Sequence, residues 1–312
     1  MKTVLNKVVV IILVLGVLAT TGCWPQPIFV SSNAAPFLSY KLGVVLRDVT
    51  YRTMDDASLK MDIYYSPGAK RPMPVIVYVH GGGWYSGDKT TGAGQHDIPE
   101  LVGRGYLVAA VNYRLAPRYQ FPAQIEDIKY AIHFLRSSAA TYNIDPDNIG
   151  AFGESAGGHL VSLLGLTDRR DADEFSYDCQ NSPPHLKAVV DLYGPTDLTE
   201  TFEIDQSDRI EHVFGTSDPE SQIIKEASPL THVSRRAPPF LIIHGDKDDI
   251  VLVNQSHELY DQLISAGASA TFVVVKNCGH AFTPVDGDII PTRKEISSII
   301  ADFLDQYLKD GA

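Results

Sequence analysis

Cationic side chains are in short supply in this chain. Its 26 lysines and arginines stand against 38 aspartates and glutamates, a formal charge of −12. A surface of that sign repels phosphate backbones and anionic headgroups, which argues against a nucleic-acid partner and against electrostatic adsorption to a membrane. Cysteine is sparse too, with three in 312 residues. Cys179 and Cys278 could pair in an oxidising compartment, or remain two separate thiols; their spacing does not decide whether they lie close enough. There is no long basic run, no low-complexity tract, no internal repeat and no second domain boundary. The one long apolar run, Val8 to Leu18, is too short for a comfortable transmembrane span.

That run does have another use. Lys2 and Lys7 flank its start, and Ala19-Thr20-Thr21-Gly22-Cys23 follows it. A charged start, an apolar centre and small residues at the end make 1–22 a secretory signal peptide. A cysteine directly after the small residues matches a bacterial lipoprotein signal, with Cys23 lipidated, although Thr20 stands where that pattern usually has leucine. Plain secretion is the alternative. Residues 23–36 then form a Pro- and Ser-containing tether, and 37–312 one domain exported to the periplasmic face or cell surface. With 44% hydrophobic and 21% charged residues, that domain has an ordinary globular composition and can bury a sizeable core.

From Val44 onward, short runs of β-branched residues alternate with amphipathic segments. Strands are predicted at 44–50, 59–65, 75–80, 107–112, 149–152, 188–192, 240–244 and 271–275. Helices are predicted at 98–104, 123–138, 156–166, 253–266 and 293–309. Ile125, Ile128, Ile132 and Leu135 fall on one face at helical spacing. Apolar strands that alternate with helices suit a mostly parallel eight-stranded sheet covered on both sides. The first two strands, with no helix between them, form an antiparallel edge pair. Thr199 to Pro239 breaks the rhythm: it is long and polar, with a short helical patch near Ser221–Ala227. A loop of that length in a domain is usually functional or an insertion.

Gly153-Glu154-Ser155-Ala156-Gly157 sits between a predicted strand and a predicted helix. This is the pattern of a sharp turn that exposes a serine hydroxyl. Alone it is weak, since about one chain in ten of this length would carry it by chance. A serine needs a base, and the base needs an orienting acid, in the chain order serine, acid, histidine. Beyond the strand 240–244 only His257 and His280 remain. His257 falls within an amphipathic helix, whereas His280 follows a strand by a short loop, where catalytic side chains are commonly presented. For the acid, Asp246, Asp248 and Asp249 all follow the strand 240–244, and Asp197 follows an earlier one; Asp248 is preferred. The tetrahedral intermediate needs backbone N–H donors. Ala156, just after the serine, supplies one, and the turn His80-Gly81-Gly82-Gly83-Trp84 offers Gly82 and Gly83. Trp84, Tyr85 and Glu154 are candidate substrate-pocket residues, and parts of 199–239 could roof the site.

These stretches together resemble the hormone-sensitive-lipase-like esterases of the α/β-hydrolase superfamily. They are also similar to the bacterial bifunctional feruloyl and acetyl xylan esterases. The resemblance rests on LKMDIYY at 59–65, VIVYVHGGGWYSGDK at 75–89, VNYRLAPRYQFPAQIEDIKYAIHFLR at 111–136 and NIGAFGESAGGHL at 148–160. It continues through SPLTHV at 228–233, PPFLIIHGDKDDIV at 238–251 and GHAF at 279–282. It implies an α/β-hydrolase fold with Ser155 as nucleophile, His280 as base and Asp248 as acid. In the pattern H-G-x-x-D-x-x-V the acid is the fifth residue, which favours Asp248 over Asp246. The resemblance also implies Gly82, Gly83 and Ala156 as oxyanion donors. The chain departs from the hormone-sensitive-lipase-like group at Glu154, where aspartate is usual, and in lacking a large N-terminal cap.

The expected activity is hydrolysis of short-chain or aromatic carboxylic esters, with acetyl or feruloyl groups on plant polysaccharide as one substrate class. The chemistry needs no metal or organic cofactor, and its partner is a small-molecule or carbohydrate ester. The chain leaves the oligomeric state open. Amide hydrolysis of the arylformamidase or peptidase kind uses the same residues. A binding protein on an inactive hydrolase fold is the alternative of a different class.

Overall fold

The computed structural model describes residues 43–167, 185–199 and 207–309, all within the unit Phe37–Ala312. The leader 1–22, Cys23, the tether 23–36 and Cys179 lie outside the described residues, as does the segment in which an N-terminal cap would fall. The chain opens with strands β1 (Val44–Met54) and β2 (Ala57–Tyr65). Next come β3 (Met73–Val79), helix α1 (Ile98–Gly103), β4 (Leu107–Val111), α2 (Ala123–Ser137) and the short α3 (Ala139–Tyr142). Then follow β5 (Ile144–Glu154), α4 (Ala156–Thr167), β6 (Val189–Leu192), α5 (Ser207–Phe214) and α6 (Gln222–Ala227). The chain continues with β7 (Phe240–Gly245), α7 (Asn254–Ser265), β8 (Ala270–Val275) and α8 (Arg293–Leu308).

The eight strands form one sheet in the order β1-β2-β4-β3-β5-β6-β7-β8. β1 pairs antiparallel with β2, and β2 antiparallel with β4; every later pairing is parallel. Alternation along β3 shows why both faces are covered. Val75, Val77 and Val79 pack with Ile128 of α2, Leu160 of α4 and Leu259 of α7. Ile76 and Tyr78 pack on the other face with Leu101 of α1 and Ile300 of α8. This two-faced burial is what near-continuous apolar strands require, and it gives the α/β-hydrolase fold.

Three predicted boundaries are corrected. β1 runs on to Met54 because the hairpin continues to the pair Met54↔Ala57. β5 begins at Ile144 because Met73 of β3 reaches that far along it. The polar stretch 199–239 holds a second helix, α5, which buries Ile210, Val213 and Phe214 on one stripe. Their spacing of three and four residues carries that signal, masked by the charged residues between them.

Asp191 lies inside the sheet on β6, fully buried. Oδ1 accepts from Gly194 N–H at 2.9 Å, while Oδ2 has no hydrogen-bond partner among the described residues. Burial pushes this carboxyl up to about 6, against the smaller opposing pulls of Gly194 N–H, His244 and Ser162. A carboxyl raised in the folded state stabilises below its unfolded pKa, and that stability is lost as pH rises through about 6. Asp191→Asn should therefore gain on the wild type by about 2 kcal/mol between pH 4 and pH 7.5. Urea unfolding at the two pH values checks this, and parallel stability curves would refute it.

Candidate active site

β5 ends at the sharp turn that carries Ser155. The serine has φ 51°, a left-handed backbone that costs about 1–2 kcal/mol for a residue with a Cβ. The neighbouring glycines explain how the turn is held. A Cβ on Gly157 would overlap Val79 O, and one on Gly153 would overlap Gly157 O. Ser155 N–H is anchored to Leu192 O at 2.8 Å.

His280 arrives from the loop after β8. Its Nδ1 lies 2.7 Å from Asp248 Oδ2 and its Nε2 3.1 Å from Ser155 Oγ. The carboxylate can only accept, so Nδ1 carries the hydrogen and Nε2 accepts from the serine hydroxyl. An imidazole held this way can take the hydroxyl proton as the oxygen attacks. Asp248 is buried, and its Oδ1 accepts from Ile250 N–H at 2.9 Å and Val251 N–H at 3.0 Å. Burial works to raise this carboxyl, but hydrogen bonds from His244 and His280, the His280 charge and Val251 N–H outweigh it. The acid is held well below the usual carboxylate range. The two loops are tied together by Lys247 N–H donating to Cys278 O at 2.8 Å, and the second is closed on itself by Gly279 N–H to Thr283 O at 2.8 Å. The Tyr193 ring meets His280 edge-on at 4.8 Å.

The other acid candidates are occupied elsewhere. Asp246 accepts from Cys278 N–H at 3.2 Å. Asp197 caps its own turn through Thr199 N–H and the Thr199 hydroxyl. Asp249 shares no described contact with His280. His257 stands on α7 against the Phe272 ring, 4.7 Å away. Cys278 is buried and has no disulfide partner among the described residues, and burial, with help from Asp246 and Asp248, pushes its thiol up to about 11.

Gly81–Gly83 face the serine across the end of β3. An added Cβ at Gly81 would lie 3.2 Å from Ser155 Cβ. Gly82 and Gly83 have φ of 113° and 61°, values that glycine adopts freely. Among the described residues, the backbone N–H groups of Gly82, Gly83 and Ala156 have no protein acceptor.

The pocket candidates need correction. Only Tyr85 reaches solvent, at 41% exposure; Trp84 is 4% exposed and Glu154 3%. Trp84 has φ 59°, and its indole packs inward rather than over the serine. It donates from Nε1 to His159 Nδ1 at 3.1 Å, and His159 Nε2 donates to Ala227 O at 2.7 Å. Burial drops the His159 imidazole to about 4, against the smaller opposing effect of its bond to Ala227 O, so it stays neutral as this relay requires. The 207–232 insertion is thereby joined to the glycine turn, with Phe214 edge-on to Trp84.

Glu154 is a buried hub rather than a pocket wall. Oε2 accepts from Gly94 N–H at 2.7 Å and from the Tyr193 hydroxyl at 3.1 Å. Oε1 lies 2.9 Å from the Tyr78 hydroxyl and 3.4 Å from Gly81 N–H. A Cβ at Gly92 would fall on that carboxylate. The sequence named Glu154 as a departure from a pattern and a pocket candidate; the signal for its role was Gly92, which leaves room for its carboxylate.

The fold is that of the α/β-hydrolase class, with a serine, a histidine and an aspartate in hydrogen-bond sequence at the ends of its strands. Within that class the chain belongs to the BD-FAE family, whose profile matches residues 61–263. It is 31% identical over 277 residues to Esterase LipC of Mycobacterium tuberculosis, an alignment that covers 85% of this chain and 66% of LipC. The chain thus spans slightly less than two thirds of that relative's length. Among solved structures, it is similar to a truncated carbohydrate esterase from gut microbiota, at 29% identity and TM-score 0.72, covering 86% of this chain and 98% of that one. It is also similar to the propionate-bound esterase Est2 of Thermogutta terrifontis, at 26% identity and TM-score 0.68, covering 86% and 96%.

Glu154→Ala should leave several buried donors unpaired at once, costing about 3 kcal/mol and lowering Tm by roughly 6–12 °C. Differential scanning calorimetry measures this, and an unchanged Tm would remove Glu154 from the role of hub.

Proposed function

We propose that this chain is a serine carboxylic-ester hydrolase acting on short-chain or aromatic acyl esters. The observation that carries the reading is the unbroken hydrogen-bond chain from Asp248 through His280 to Ser155 Oγ. In this mechanism His280 Nε2 takes the Ser155 proton while Oγ attacks the ester carbonyl. The oxyanion is received by the N–H groups of Gly82, Gly83 and Ala156. Their lack of protein acceptors among the described residues supports that role, because donors already pointed at the developing charge need no reorganisation. The imidazolium then protonates the leaving alcohol. Water, deprotonated by the same imidazole, attacks the acyl-enzyme and releases the acid. Asp248 keeps the proton on Nδ1 throughout and stabilises the imidazolium.

Acetyl or feruloyl groups on plant polysaccharide are the proposed natural substrates. The similarity to a carbohydrate esterase and to an esterase that holds propionate supports a short acyl group and a sugar alcohol. Tyr85, exposed beside the glycine turn with the His212 ring 6.3 Å away, is the pocket candidate that remains. Export and a lipid anchor at Cys23 belong to the same reading, supported by the charged, apolar and small-residue order of 1–23. Among the described residues no helix is long and apolar enough to cross a membrane.

Wild-type protein should be labelled by a fluorophosphonate probe and should prefer acetyl, butyryl or feruloyl esters, or acetylated xylan, over octanoyl esters. Ser155→Ala should take no label and lose at least about 10³-fold in kcat. A labelled alanine variant would rule out Ser155 as nucleophile, and a preference for octanoyl esters would overturn the short-acyl assignment. Expressed in a bacterium, full-length protein should fractionate with membranes and Cys23→Ala with the soluble extract. Identical fractionation of the two would refute the anchor.

A further inference from the structure

Two histidines stand against the acid of this site, and the mechanism above uses one. His244, the fifth residue of β7, is completely buried. Its Nε2 lies 2.8 Å from Val251 O and 3.2 Å from Asp248 Oδ2, the same oxygen that accepts from His280. Both neighbours of Nε2 are acceptors, so that nitrogen carries the hydrogen. Nδ1 lies 2.7 Å from Ser256 Oγ on α7, so the serine hydroxyl donates to it. The imidazole is thereby fixed in one tautomer between the end of β7, the 248–251 turn and α7. On the other side of the carboxylate, Oδ1 is already filled by two backbone N–H groups.

We propose that His244 is a positioning residue for ester hydrolysis: its Nε2–H, bonded to Val251 O, holds the 248–251 turn that carries the acid and, 3.2 Å from Asp248 Oδ2, shares the negative charge that this carboxylate offers to His280. The inference rests on the esterase reading and deepens it. A carboxylate with an added donor is a weaker base, and holds the imidazolium of its other partner less tightly. Other groups act on the pair. Asp191 interacts electrostatically with His244 from β6, the Tyr193 ring lies 6.3 Å from it, and Asp246 and the Cys278 thiol flank the acid. The low position of the Asp248 carboxyl agrees with a second donor, since His244 stands first among the influences that lower it.

The alternative is that His244 merely fills space. His244→Leu and His244→Gln separate the two, since leucine removes the donor and the glutamine amide can restore one. Each variant is assayed with p-nitrophenyl acetate from pH 5 to 9, with active sites titrated by a fluorophosphonate and labelling rates followed over the same range. Per titrated site, His244→Leu should lose about ten- to hundredfold in kcat, from a misplaced acid and base, with KM within about twofold of wild type. Its acid limb should move to higher pH, because undivided charge on Asp248 favours the protonated base. His244→Gln should recover both kcat and the limb. A leucine variant with wild-type kcat and limb per titrated site overturns the proposal, as does a loss that glutamine fails to rescue with the limb unmoved. If the wild type is labelled but hydrolyses no ester, the esterase reading fails. The pH limb of labelling then still decides the role of His244.

Discussion

Everything at the reactive end of this protein depends on one near-collision of backbones. At Gly157 the first turn of α4 passes so close to the end of β3 that no side chain fits between them. That approach brings the helix start, with its unbonded N–H groups, against the glycine turn at 81–83. It also forces Ser155 into the left-handed region, so that its hydroxyl projects beyond the sheet toward His280. The strain is of the order of 1–2 kcal/mol, small beside the core that two-sided burial provides. The turn is locked by Ser155 N–H on Leu192 O, and the Glu154 carboxylate ties it to the glycine turn through Gly81 N–H at 3.4 Å.

Around this turn the protein spends its buried charge carefully. Asp97 is paired with Arg293 and Ser297, and Asp127 with Arg52 and Arg114. Glu154 is satisfied by hydroxyls and backbone N–H groups instead of a cation. Buried charges persist only when their hydrogen-bonding capacity is met. Meeting it with rigid donors places the glycine turn, the central strand and the Tyr193 ring in register with the serine. Asp191 is the exception, one oxygen short of partners and raised accordingly.

Much of this was legible in the sequence because it is local. Apolar β-branched runs announced the parallel strands, and the hairpin pair followed from the missing helix between the first two. The Ser155 turn, the glycine turn and the loop position of His280 are short patterns with direct steric causes. What escaped was non-local. Trp84 reads as a pocket wall beside a turn, yet its positive φ sends the indole to His159, 75 positions later. Glu154 reads as an oddity until Gly94 and Tyr193 are folded onto it. The helix α5 hid behind its charged residues because only three positions carry its buried stripe. His244 reads as the end of a strand and the first residue of H-G-x-x-D-x-x-V, but nothing local shows which side chains meet its imidazole.

The Trp84–His159–Ala227 relay has a bearing on how such an enzyme can diversify. The reacting groups are tied to one another through loops after β5, β7 and β8, whereas the 207–232 insertion meets them at a glycine turn through an indole, an imidazole and a peptide carbonyl. The same insertion also buries Ile210, Val213, Phe214, Ile224, Ala227 and Leu230 in the main core and accepts Phe121 N–H through Val213 O at 2.8 Å. An insertion exchanged for another of different length would have to reproduce that apolar stripe as well as the carbonyl and the aromatic edge in order to dock. The surface above the glycine turn and the sheet beneath it therefore share one core, so a change in the insertion is felt at the turn through Trp84.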